Sequence, residues 1–155
     1  MLLLGITTLF TGRAHAQFSA PIHDVDNGAR QPVHFSALVT FADGAAEAEV
    51  ANTFTVPAGK RLVIETITGE IFVPIGQQVR VKLVTIAAGN NSPNHSLLFN
   101  SNVTFGQQDI YITTLPVRFY ADGATQPFLE VQRNSSTGSS GTGEITFSGY
   151  LVKLP

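Results

Sequence analysis

The sequence contains no cysteine and no tryptophan, and only 13% of its 155 residues are charged. Without cysteine the chain can form no disulfide, offers no thiol nucleophile and cannot hold a metal through thiolate ligands. The formal net charge of -2 lacks the basic balance of a nucleic-acid-binding domain and supplies no polybasic surface for a membrane. The core must therefore rest on eleven phenylalanines together with valine, isoleucine and leucine.

The first residues have the pattern of an export signal. Leu2 to Phe10 is a short apolar run, too short to span a bilayer, and Ala14-His15-Ala16 matches the small-x-small pattern of a signal-peptide cleavage site. The pattern predicts a signal peptide over residues 1–16 and, from the length that remains, one domain over residues 17–155. We therefore expect a secreted or periplasmic protein with no membrane span in the mature chain.

Two segments alternate cleanly between apolar and polar residues. In Val33–Phe41 every second residue is apolar, and in the last strand Ile145, Phe147, Gly149 and Leu151 share one face. This period of two predicts strands with one buried face, one of them close to the C-terminus.

The stretch 54–73 is the densest in β-branched and aromatic residues. Pro57-Ala58-Gly59 has the residues of a type I turn, with Pro57 at its second position. Apolar residues beyond the turn fall on both parities, which predicts a strand covered on both faces and a hairpin at the centre of the fold. Gly69 predicts a bulge or bend inside this strand.

Nine to ten short strands, with turn residues about every 8–12 positions and no convincing helix, predict an all-β fold. We expect an antiparallel, jelly-roll-like β-sandwich. Its predicted core consists of Phe35, Val39, Phe54, Ile64, Val81, Phe119, Phe147 and Leu151.

Three segments resemble parts of uncharacterised secreted bacterial β-sandwich proteins. They are the turn and strand Val56–Glu65, the terminal strand Ile145–Val152 and the entry Asp26–Val33 to the first strand. The resemblance implies a small exported β-sandwich and carries no information about chemistry.

Metal-ligating residue types concentrate near the start of the proposed mature chain. His23, Asp24 and Asp26 could meet His34 in space, and imidazole with carboxylate suits a divalent cation. A solvated loop beside one polar strand residue explains the same residues and is the interpretation we favour, because the usual ligand spacings are missing. We therefore expect no cofactor.

Tyrosines and loop asparagines are the candidate ligand-binding residues. On an exposed sheet face the tyrosine rings could stack on sugars, although half-buried tyrosines with hydrogen-bonded hydroxyls are the alternative. Asparagine is common in binding loops, and the loops 89–94 and 134–143 are the longest here; the second is also low in complexity, which predicts flexibility. The candidates are Tyr111, Tyr120, Tyr150, Asn90, Asn91 and Asn94.

No complete catalytic motif occurs in the sequence, so no catalytic residue is predicted. The leading hypothesis is a non-catalytic module that binds an extracellular polymer or protein, or associates with itself through exposed strand edges. A carbohydrate-binding module and a small hydrolytic or metal-dependent enzyme are the alternatives. Tyrosines on one exposed face would favour the former, and histidines converging with an aspartate would favour the latter.

Overall fold

The structure, a computed structural model, describes residues 30–52, 54–88, 90–91 and 95–154. These residues form strands and turns, and they include no helix long and apolar enough to cross a membrane. The strands are β1 (Arg30–Phe41), β2 (Glu49–Asn52), β3 (Lys60–Pro74), β4 (Val79–Val84), β5 (Ile86–Ala87), β6 (Asn90–Asn91), β7 (His95–Leu97), β8 (Asn100–Phe105), β9 (Gln108–Asp122), β10 (Phe128–Arg133) and β11 (Gly141–Lys153).

The strands form two main sheets that face each other. The larger sheet has the order β2-β1-β11-β3-β9-β8, the smaller has the order β10-β4-β7, and β5 pairs with β6 alone. Every pairing between them is antiparallel. The predicted all-β antiparallel sandwich is confirmed.

The core fills the space between the two sheets, as the alternating segments predicted. Val39, Ile64, Val81, Phe147 and Leu151 are buried. The three predicted phenylalanines Phe35, Phe54 and Phe119 are partly buried and pack against this core. Phe35 stacks on Phe147 with ring centroids 4.9 Å apart, and on Phe54 at 4.3 Å.

The predicted central hairpin is wrong. β3 lies inside the large sheet, but its neighbours are β11 and β9, and β2 pairs with β1 instead. The turn before β3 is also shifted by one residue: Lys60 N donates to Pro57 O at 3.2 Å, so Pro57 is its first residue. Gly59 then occupies the third position with a φ of 73°, the positive value that favours glycine there.

A β-bulge explains why apolar residues fall on both parities of β3. The register shifts between Ile64 and Thr66, so Ile64 and Ile67 both face the core although they are three residues apart. The strand is therefore not covered on both faces along its length. A Cβ at Gly149, opposite Ile64, would overlap the carbonyl oxygen of Val63, which explains the glycine on β11 at this point.

Gly69 does not mark a bulge, because it pairs regularly with Ile145 and Thr113. A Cβ at this position would lie 3.0 Å from Cζ of Phe99. The glycine therefore makes room for the buried ring of Phe99 between the sheets.

Candidate functional site

One side of the sandwich is closed by the chain that leads into β2. Ala48 N donates to Val131 O at 2.9 Å and Arg133 N donates to Ala46 O at 2.8 Å, so this segment covers the free edge of β10. A few residues later the same chain pairs with β1 as β2. The two sheets are thus joined on this side by continuous backbone.

The opposite side, which we call the open side, is formed by the edge strands β7 and β8. Two residues, Leu98 and Phe99, connect them. Thr113 Oγ1 on β9 donates to Leu98 O at 2.7 Å and holds this connection against the large sheet. In the described part of the chain, β8 pairs with β9 and β7 pairs with β4, and neither has a strand on its other side.

Large apolar side chains are exposed along the open side. Leu98 is 66% exposed, Val103 is 51% exposed and Phe105 is 76% exposed. Val103 pairs with Ile110 and Ile110 pairs with Phe72, so an apolar row runs inward from the β8 edge across the outer face of the large sheet. Exposed apolar residues that lie together mark interaction surfaces more often than single ones do.

The hairpin that ends β8 is a tight one. Phe105 pairs with Gln108, so only Gly106 and Gln107 form the loop, and Gly106 has a φ of 63°. A positive φ at the first loop residue is the requirement of a type II′ turn. Beside it, Asp109 accepts hydrogen bonds from Thr104 Oγ1 and Gly76 N, both at 2.7 Å, and these hold the pKa of Asp109 below its ordinary value.

His95, on β7, contributes a ring to the inner part of the open side. Its ring stacks on Phe119 with centroids 3.9 Å apart. Partial burial in this apolar contact lowers the pKa of His95 and favours the neutral imidazole.

The predicted tyrosines are divided between the two faces of the large sheet. Tyr111 is buried, and its hydroxyl donates to Gln77 O at 2.8 Å, so its ring does not lie on an exposed sheet face. Tyr120 and Tyr150 both pair with Val63 and share the outer face. The guanidinium of Arg30 lies 4.7 Å from the ring centroid of Tyr150, so it occupies a ring face that a sugar would need.

The structure brings together few of the other predicted site residues. Asn90 and Asn91 form the short strand β6 beside Ile86 and Ala87, rather than an irregular loop. His34 lies exposed on β1, where its Nδ1 is 3.0 Å from Ser148 Oγ. His23, Asp24, Asp26 and Asn94 lie outside the described residues, and within these no three His, Asp or Glu side chains are arranged to hold a metal.

The outer face of the large sheet has a shallow depression, of about 370 Å³, between Glu70 and Glu144. The two glutamates are directly paired across β3 and β11, and four threonines, Gly69 and Ile112 line the rest. The depression is open to solvent, whereas small-molecule sites enclose most of their ligand's surface. This geometry suits contact with a large partner better than capture of a small molecule.

Sequence reasoning missed Arg133, which organises the end of the sandwich where the loops 42–46 and 134–140 meet. It is buried, and its donors reach Ala45 O at 2.6 Å, Ser139 O at 2.8 Å, Ala42 O at 3.2 Å and Gln77 Oε1 at 3.2 Å. Gln77 Nε2 in turn donates to Thr137 O at 2.6 Å. The loop predicted to be flexible is thus anchored at two points by buried side chains, and its last residues, 141–143, belong to β11.

The chain matches no family model and no curated protein. Among solved structures it matches a chain of "Cyanophage Pam1 capsid asymmetric unit" with 17% sequence identity, over 94% of this chain and 98% of that chain, at a TM-score of 0.49. A similarity of this size supports no statement about what this chain does. Export and the resemblance to secreted bacterial proteins stay predictions.

Proposed function

We propose that this chain is a non-catalytic assembly module of the cell exterior whose copies associate through the open side. The observation that carries the proposal is β8, a six-residue edge strand whose outer backbone has no partner among the described residues. An unpaired edge presents a row of N–H and C=O groups that can pair with another chain. Placement at the cell exterior follows from the predicted signal peptide.

The other sheet edges carry features that limit pairing, and β8 has fewer of them. β7 has three residues, β10 is covered by the chain before β2, and β2 has four residues that include Glu49. Short length, coverage and charge are the usual ways in which proteins protect sheet edges. β8 has a bulge between Ser101 and Val103, but beyond it the strand pairs regularly with β9.

The sequence around the open side is also free of ionic charge. Between Lys82 and Asp109 the chain contains no lysine, arginine, aspartate or glutamate. This region includes both β7 and β8 and the exposed Leu98, Val103 and Phe105. β7 and β8 themselves therefore bring no like charges together when two copies approach edge to edge.

A lysine at Val103 is expected to dissociate the assembly. The ammonium group would have to lose water in the contact, so we expect the dissociation constant to rise at least about tenfold, or about 1.4 kcal/mol. Leu38→Lys is the matched control, because Leu38 is 57% exposed on the outer face of the same sheet, on β1. Sedimentation velocity of the purified protein over a range of concentrations measures the effect.

We expect wild type and Leu38→Lys to form larger species as concentration rises, and Val103→Lys to remain monomeric. Thermal unfolding of the three proteins at low concentration checks that the lysines leave the fold intact. A wild type that is monomeric throughout, or equal association of Val103→Lys and wild type, would overturn the proposal.

A further inference from the structure

We infer that the strand that pairs with β8 is β8 of a second copy, antiparallel about a two-fold axis at Thr104. The inference rests on the proposed function and adds the partner strand and its register. Three features carry it: the direction of the free backbone groups, the side chains that the register brings together, and the position of the nearest carboxylate.

The hairpin geometry determines which backbone groups of β8 are free. In a two-residue hairpin the residues flanking the loop, here Phe105 and Gln108, form a hydrogen-bonded pair. Hydrogen-bonded and non-hydrogen-bonded pairs alternate along an antiparallel ladder, so Thr104 and Asp109 form a non-hydrogen-bonded pair. The N–H and C=O of Thr104 therefore point away from β9, toward the open edge.

A two-fold axis at Thr104 makes these groups complementary to themselves. Thr104 of each copy donates its N–H to the carbonyl oxygen of Thr104 in the other copy, which closes a hydrogen-bonded pair. The same register places Val103 of one copy opposite Phe105 of the other, twice, on the outer face. Pairs of aromatic and β-branched residues are among the stabilising cross-strand pairs.

The register also avoids repulsion between the copies. Asp109 is the carboxylate nearest to the axis, and it already accepts hydrogen bonds from Thr104 and Gly76 of its own chain. The interface uses the same strand on both copies, so it is complete with two chains. Association should therefore stop at a dimer in which the two large sheets become one continuous sheet.

Thr104→Cys tests the register, because the wild-type chain contains no cysteine. Facing residues of a hydrogen-bonded pair have Cα atoms about 5.5 Å apart, within the range that a disulfide spans. Mild oxidation should join Thr104→Cys into a covalent dimer at least about tenfold faster than Thr142→Cys. Thr142 is an exposed control on β11, three strands away from β8. A mixture of Val103→Cys and Phe105→Cys should form the mixed dimer in preference to either homodimer.

Loss of the hydrogen bond from Thr104 to Asp109 could disturb the hairpin, so Thr104→Cys is compared with wild type by thermal unfolding under reducing conditions. The mixture of Val103→Cys and Phe105→Cys leaves Thr104 unchanged, so it tests the register without disturbing the hydrogen bond to Asp109. Association that Val103→Lys abolishes, without cross-linking at Thr104 or preference for the mixed dimer, would overturn this register and leave the proposed function standing. Equal cross-linking of Thr104→Cys and Thr142→Cys would also overturn it.

Discussion

Replacing Arg133 with methionine is expected to lower the free energy of unfolding by about 3–4 kcal/mol. Methionine keeps most of the apolar contact with the ring of Phe41 but donates no hydrogen bond. Three backbone carbonyls and Gln77 Oε1 lose their donor, and each buried acceptor left without a partner costs about 1–3 kcal/mol before water compensates for part of it. Urea unfolding measures the difference.

Arg80→Met is the matched control, because Arg80 is exposed on β4 beside Gln132. We expect its effect to stay within about 0.5 kcal/mol of wild type. If Arg133→Met were as stable as Arg80→Met, the loops 42–46 and 134–140 would not depend on the guanidinium, and its place at the centre of this network would be contradicted.

Phe147→Ala is expected to cost about 3–5 kcal/mol. Phe147 is 1% exposed and its ring stacks on Phe35 in the middle of the core, so truncation leaves a cavity that the surrounding strands can only partly fill. The stacked arrangement also continues to Phe54, which loses its ordered neighbour when Phe35 shifts. Urea or thermal unfolding of the purified variant measures the loss.

Phe105→Ala separates this core effect from the removal of an aromatic ring in general. Phe105 is exposed on the edge strand, so its truncation should change the stability of the monomer by less than about 0.5 kcal/mol. We expect the same truncation to weaken association. A loss below about 1 kcal/mol for Phe147→Ala would contradict the finding that the Phe147 side chain faces the core.

β1 and β11 were predictable from the sequence because their alternation of apolar and polar residues is regular. Val33–Phe41 and Ile145–Leu151 keep one parity along their length, and no bulge interrupts the inward face of either. β3 could not be interpreted in the same way, because the extra residue between Ile64 and Thr66 moves the core face from even to odd positions. A bulge leaves no fixed residue pattern in the sequence.

Strand neighbours depend on contacts that are distant in the sequence. β11, the last strand along the chain, lies between β1 and β3, which both come from the first half of the sequence. The guanidinium of Arg133 donates to carbonyls from two separate loops, 42–46 and 134–140, and the sequence gives no sign that these loops meet. Neither the position of β11 in the sheet nor the burial of Arg133 could be predicted, because both depend on segments that are far apart in the sequence.

The edge position of β8 likewise follows from the order of strands and could not be predicted. One signal was nevertheless present: the run from Lys82 to Asp109 contains no charged residue, although 13% of the chain is charged. Edge strands that face water usually carry charged residues, so a long uncharged segment at a sheet edge indicates a surface that pairs with another chain. The tyrosines of the sequence-based hypothesis do not lie on β8, because Tyr111 is buried and Tyr120 and Tyr150 lie beside Val63.

Amide hydrogen exchange at Thr104 tests the pairing of β8 most directly. In a monomer this N–H faces the open edge and should exchange quickly, whereas the amide of Val103, which faces β9, should be protected at every concentration. We predict that Thr104 exchange slows at least about tenfold as concentration rises into the range where sedimentation detects the dimer. Thr104 exchange that stays fast in the associated protein would contradict the account. Protection already present in the dilute monomer would do so too, since another part of the same chain would then cover the edge.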